Sequence, residues 1–126
     1  MTEPMLALSI RQPWAWAIIH AGKDVENRSE NIARRAERLV GQTVLIHAGK
    51  TFYEDDFDTF ERLGIDVPIE DLRFGGIIGS ARIMAVSRRH PSRWAQRGQW
   101  QIVLTDARPR PFRPCRGQLG FFRVEG

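Results

Sequence analysis

The sequence predicts an α+β domain in which about five strands and two flanking helices surround a small mixed barrel. Three observations lead there. Strand-like and helix-like segments follow one another without the regular alternation that a parallel βαβ sheet demands. Hydrophobic residues make up 42% of the chain and include four Trp, enough apolar surface to offset the entropy of ordering it. No linker, repeat or low-complexity stretch divides the 126 residues, so residues 1–126 are read as one domain.

Each element has its own signal. Met5 to Ile10 reads as a first strand, and Pro13 stands where proline is welcome, in the first turn of a helix. Trp14, Ala17, Ile18 and Ala21 recur at helical spacing and Gly22 is placed as a left-handed cap, which predicts a helix from about Pro13 to Ala21. The segment Arg34 to Arg38 is basic and weakly patterned and reads as loop. Thr43 to His47 is a β-branched apolar run, a buried strand. Thr51 with Glu54 makes a capping box, Tyr53, Phe57 and Phe60 share a face, and Gly64 is a stop, so a helix is expected from Thr51 to Leu63. Gly75-Gly76 breaks the chain before a long strand, Ile77 to Ser87, with Gly79 as a bulge. Gln99 to Thr105 alternates as a strand. Ala107 to Pro114 holds three prolines and three arginines, which predicts an extended loop. Gln118 to Val124 closes the chain as the last strand.

Charge is unevenly placed. Residues 54–71 contain eight acids and one base, leaving 18 bases and seven acids elsewhere, a balance of +11 within a net charge of +4. Such a surface suits a polyanion, although arginine is also ordinary solvated surface charge. Of the 19 basic residues only Lys23 and Lys50 are lysine, and both follow a glycine. An ammonium responds to burial in ways that a guanidinium does not, so these two positions are singled out. One cysteine and three scattered histidines give no zinc spacing and no internal disulfide, so neither a metal nor a cofactor is expected. Apolar runs fall far short of the ~20 residues that span a bilayer, and the expectation is a cytoplasmic protein without a membrane partner.

The charges that follow the first helix are the candidate site. Strict alternation puts Glu26 and Arg28 on one face of an extended segment and Lys23 on the other, so a turn around Asp24 and Val25 is needed to bring Lys23 to Glu26. If they converge in a partly dry cleft, Glu26 can take a proton from water while Lys23 stabilises an oxyanion, with Lys50 strengthening the field. The alternative is a structural ion-pair network. Trp14 falls on the core stripe, whereas Trp16 falls off it and is the better aromatic for stacking a base. Ser9 and Gln12, on the strand-to-helix turn, are placed to touch the cleft, a Ser there serving equally as a helix cap. His47 reads as a satisfied core histidine and His90 as a loop residue. Cys115 is a nucleophile only with a basic partner.

The segments Leu8 to Arg28, Ile46 to Lys50 and Cys115 to Gly120 together resemble a compact ASCH domain, of the class with a PUA-like β-barrel. The family signature resembles Gly-x-Lys-x-x-Glu-x-Arg; here Gly22 is followed directly by Lys23, Glu26 and Arg28, one residue shorter. The resemblance implies a cleft near the end of the first helix lined by Lys23, Glu26 and Arg28, and a role in binding RNA or a modified nucleoside. Some members of the family are ribonucleases or amidohydrolases acting on an acylated cytidine. The expected ligand-binding set is therefore Ser9, Gln12, Trp16, Lys23, Glu26, Arg28 and Lys50, and a metal-independent hydrolase using Lys23 and Glu26 is the alternative. A third reading is a protein-interaction module presenting the acidic helix from Thr51 to Leu63.

Overall fold

In a computed structural model, which describes residues 5–125, six strands form one mixed sheet against which three α-helices pack. The strands are β1 (Met5–Gln12), β2 (Val25–Arg28), β3 (Thr43–Phe52), β4 (Gly76–Ser87), β5 (Trp100–Pro114) and β6 (Phe121–Val124). The helices are α1 (Trp14–His20), α2 (Glu30–Glu37) and α3 (Phe57–Arg62). The sheet order is β2-β5-β4-β3-β1-β6, with β1 and β3 parallel and the other pairs antiparallel.

Alternation along the central strands gives the sheet two apolar faces. Leu8 and Ile10 of β1 with Val44, Ile46 and Ala48 of β3 join Ile18 of α1 and Ala36 of α2 in the main core. Ala7 and Leu45 point the other way and meet Phe122 and Val124 of β6. A third cluster, centred on the buried Phe60 of α3, ties Ala17, Val25 and Trp94 together, with ring centroids 5.0 Å from Trp14 and 5.5 Å from Trp94.

Four expectations change. The strands do not close into a barrel: β2 and β6, four residues each, form the two edges, and each covers only part of its single neighbour. Arg34 to Arg38 is not a loop, because most of it belongs to α2; Ala33 and Ala36 are its buried positions, and alanine is a weak apolar signal beside exposed arginines. The capping box at Thr51 does not form, since β3 continues to Phe52, which pairs with Gln12 of β1; a 3₁₀ turn (Glu54–Asp56) then leads into a shorter α3, and Gly64 follows its end at φ +71°. The proline-rich stretch is the far half of β5 and not an extended loop. Pro109 lies opposite Gly79, and Pro114 opposite Gly76. β2 covers β5 only from Trp100 to Val103, so the outer edge beyond is unpaired and tolerates residues without an N–H.

The bend that this long strand needs is made locally. Its register slips between Thr105 and Arg108, where Asp106 adopts φ +53° and accepts a hydrogen bond from Arg108 Nε at 2.9 Å. The register also slips at Ile78, beside the expected bulge at Gly79. Gly79 has a second role. A Cβ there would lie 2.5 Å from both the Arg108 carbonyl oxygen and Ile19 Cδ1, so only glycine lets β5 and α1 approach β4 this closely. Gly79→Ala is expected to cost about 1–3 kcal/mol through overpacking, read as a lower urea midpoint; an unchanged midpoint would contradict this packing.

Candidate functional site

The end of α1 delivers the first charged group. Gly22 takes φ +71°, and the backbone N–H of Lys23 donates to Ala17 O at 3.1 Å, closing the helix and turning the chain. Lys23 thus precedes β2, and the alternation that would separate it from Glu26 does not apply. Its Nζ folds back over the strand start, donating to Val25 O at 2.5 Å and to Glu26 Oε1 at 2.8 Å. The other carboxylate oxygen, Oε2, accepts from Arg28 Nε at 3.0 Å, and Arg28 Nη2 donates to Ser9 O on β1 at 2.5 Å. Lys23 and Glu26 are 3% and 7% exposed, so the pair is removed from water.

Burial by itself pushes the Glu26 carboxyl upward, but the fields of Lys23 and Arg28 and the hydrogen bonds from both outweigh it and hold Glu26 below its ordinary value. A carboxylate so held is a weak proton acceptor. Nearby, Arg11 makes a two-pronged pair with Asp56, 2.6 Å and 3.2 Å, and lies 5.1 Å from the centre of the Tyr53 ring; the Asp56 hydrogen bond raises the Arg11 pKa.

Above this group opens a cavity of about 1170 Å³. Ser9, Glu26, Arg28 and Lys50 of the expected set line it. Three of the expected residues do not. Gln12 is buried, its amide donating to Arg73 O at 2.9 Å and its carbonyl accepting the Trp16 N–H at 2.8 Å, so it anchors the start of α1. Trp16 packs against Phe60 and His20. Lys23 lines a second crevice of about 490 Å³, which adjoins the first and shares Arg11, Trp14, Glu26, Asn27 and Gln99 with it.

The aromatic residues at the main cavity are instead Trp14, which the helical spacing places in the core, and Tyr53, 56% exposed, with Arg116, Gln118 and Leu119 on the connection to β6. Tyr53 escaped sequence reasoning because it was assigned to a helix face, whereas it lies between β3 and the 3₁₀ turn. His47 is buried and hydrogen-bonded on both sides, 2.9 Å from Ser9 Oγ and 2.7 Å from Cys115 O. Cys115 therefore faces His47 with its carbonyl; its thiol contacts Arg116 O at 3.5 Å. His90 lies in the connection between β4 and β5. Among the described residues no group of three or more His, Cys, Asp or Glu is placed to hold a metal ion, and no helix is long and apolar enough to cross a membrane. No protein-family model matches the chain, and no curated protein matches it in sequence.

Removing one member of a buried ion pair leaves the other uncompensated. Glu26→Gln is expected to lower stability by about 3–5 kcal/mol at neutral pH, measured by urea unfolding. The sign with pH follows from the lowered value. The Glu26 contribution is complete above the ordinary carboxylate value of 4.5 and is lost as pH falls through the lower folded value. Wild-type stability should therefore fall more steeply than that of Glu26→Gln below pH 4.5; parallel curves would contradict the assignment.

Proposed function

We propose that the protein is an ASCH-like domain whose main cavity binds a nucleotide unit, either free or within single-stranded RNA. The observation that carries this reading is the cavity's charge: of its five charged lining residues Arg11, Arg28, Lys50 and Arg116 are cationic and Glu26 is the one carboxylate, and with Arg11 paired to Asp56 and Glu26 held by Lys23 as well as Arg28, the charge left over is positive. Such a wall favours an anion. Tyr53 supplies a ring face at the same opening, and stacking tolerates any base. The arginine-bearing half of β5, with Arg108, Arg110 and Arg113 exposed, runs into the cavity wall at Pro114 and offers a phosphate backbone a path toward it.

The alternative, metal-independent hydrolysis by Glu26 and Lys23, has weaker support. Glu26 is held ionised by two donors, and Lys23 Nζ is directed at Glu26 and Val25. An interaction module built on an acidic helix is weaker again, because its acids fall partly in the 3₁₀ turn and Asp56 is tied to Arg11.

The test is titration of a short single-stranded RNA at two ionic strengths with chelator present. Affinity is expected to fall steeply with salt, through counterion release, and Tyr53→Ala to weaken binding roughly tenfold at low salt. Absence of binding at low salt, or affinity that is flat across salt, would overturn the proposal.

A further inference from the structure

A serine hydroxyl ordinarily offers a ligand one donor and two acceptor lone pairs. Ser9 offers less. The Cys115 carbonyl oxygen can only accept, and His47 Nε2 lies 2.7 Å from it, so the ring hydrogen sits on Nε2. With one ring hydrogen, Nδ1 carries a lone pair, and the Ser9 hydroxyl 2.9 Å away is the donor. The only hydrogen on Ser9 Oγ is thereby directed into the protein. Among the described residues no donor reaches Oγ, so toward the cavity it presents lone pairs alone.

The relay is held rigidly. Ser9 and His47 are direct partners on the parallel strands β1 and β3. Phe122 meets the imidazole edge-on, with ring centroids 5.5 Å apart. On the other side Gly117 is so close that a Cβ there would lie 2.6 Å from His47 Cε1 and 2.9 Å from Ser9 Oγ. The ring is thus packed on both sides, and its two hydrogen bonds, to the Ser9 hydroxyl and to Cys115 O, hold each nitrogen in its place. Of the neighbouring polar groups, Asn27 gives one amide hydrogen to Trp94 O and accepts from the Gln96 N–H, and Glu26 is an acceptor whose two oxygens already hold cations; the charged donors that remain along the wall are Arg28, Lys50 and Arg116, the groups the reading above assigns to the phosphate.

A ligand atom seated against Ser9 must therefore bring a hydrogen. A carbonyl oxygen there would set acceptor against acceptor and leave both unpaired on desolvation, a cost that makes such sites selective. Resting on the nucleotide reading above, we propose that Ser9 Oγ is a specificity-determining acceptor, and that the cavity selects a nucleobase whose amino group donates to it.

Three pairs of 5′-monophosphates that differ by one amino group serve as probes: guanosine and inosine, adenosine and purine riboside, cytidine and its 4-deamino analogue. Calorimetric titration of the full chain at low ionic strength is expected to show at least one amino nucleotide binding about tenfold tighter than its partner. In Ser9→Ala, with the fold checked by circular dichroism, that ratio should fall to within about twofold while both nucleotides still bind. Equal affinities within all three wild-type pairs overturn the role of Ser9 and leave nucleotide binding standing, and so does a ratio that survives Ser9→Ala. Failure of all six to bind overturns this proposal, and overturns the nucleotide reading with it when the single-stranded RNA of the titration above also fails to bind at low salt. The wild-type comparison needs no variant, so it holds even if Ser9→Ala misfolds.

Discussion

A carboxylate buried at the edge of a sheet is tolerable only if each oxygen keeps a strong donor, and Glu26 satisfies that condition with groups from two different places. Lys23 reaches it from the end of α1, and Arg28 from two residues along β2. Arg28 also donates to the Ser9 carbonyl on β1, a strand that β2 does not pair with. The knot thus fixes the helix end, the β2 edge and β1 relative to one another. Buried ion pairs are poor evidence for net stability, because desolvation offsets most of the attraction. Their effect here is positional: a break at any member releases a buried charge, so only one arrangement of the three elements is tolerated.

The cavity follows from this arrangement. β2 is short and covers β5 only from Trp100 to Val103, which leaves room between β1, the end of β3 and the connection from Pro114 to Leu119. Because Glu26 is shared between Lys23, in the adjoining crevice, and Arg28, one carboxylate faces two cations and the group as a whole stays positive. Lys50 and Arg116 add to the same side. Close glycine packing gives the wall its shape: Gly49 and Gly117 bring backbone against Ser9 Oγ, where a Cβ would stand at 3.3 Å and 2.9 Å. Charge thus comes from side chains on the walls, and the orientation of the Ser9 hydroxyl, on which the proposed selectivity rests, is settled by its neighbour His47.

Much of this was legible from residue order alone. The first strand, α1 with its Gly22 cap, the start of β3, and β4 follow from local pattern, whereas the convergence of Lys23 with Glu26 comes from the turn at Gly22 and not from one around Asp24 and Val25, since Val25 already belongs to β2. What was not legible depended on position within the sheet. Prolines argue against a strand only where both edges are paired, and nothing local says that β5 beyond Val103 has a free edge. Thr51 and Glu54 spell a capping box, yet the pairing of Phe52 with Gln12 keeps Thr51 in β3, which also displaces Tyr53 from a helix face to the cavity. α2 hides because its buried positions are alanines. The Ser9–His47 contact, 38 residues apart, arises from strand register, which no spacing in the sequence reveals. Gln12 and Trp16 lie in the right segment but face inward, because α1 needs an anchor at its start and apolar packing on Phe60.

The central claim is that the Glu26 knot builds a nucleotide cavity, and a crystal structure of the protein with a 5′-mononucleotide tests it most directly. The account predicts the base against Tyr53, the phosphate within reach of Arg28, Lys50 or Arg116, and the Lys23–Glu26–Arg28 contacts intact beneath them. A nucleotide lodged in the crevice beside Lys23, or one that breaks the Lys23–Glu26 pair to reach the carboxylate, would contradict it.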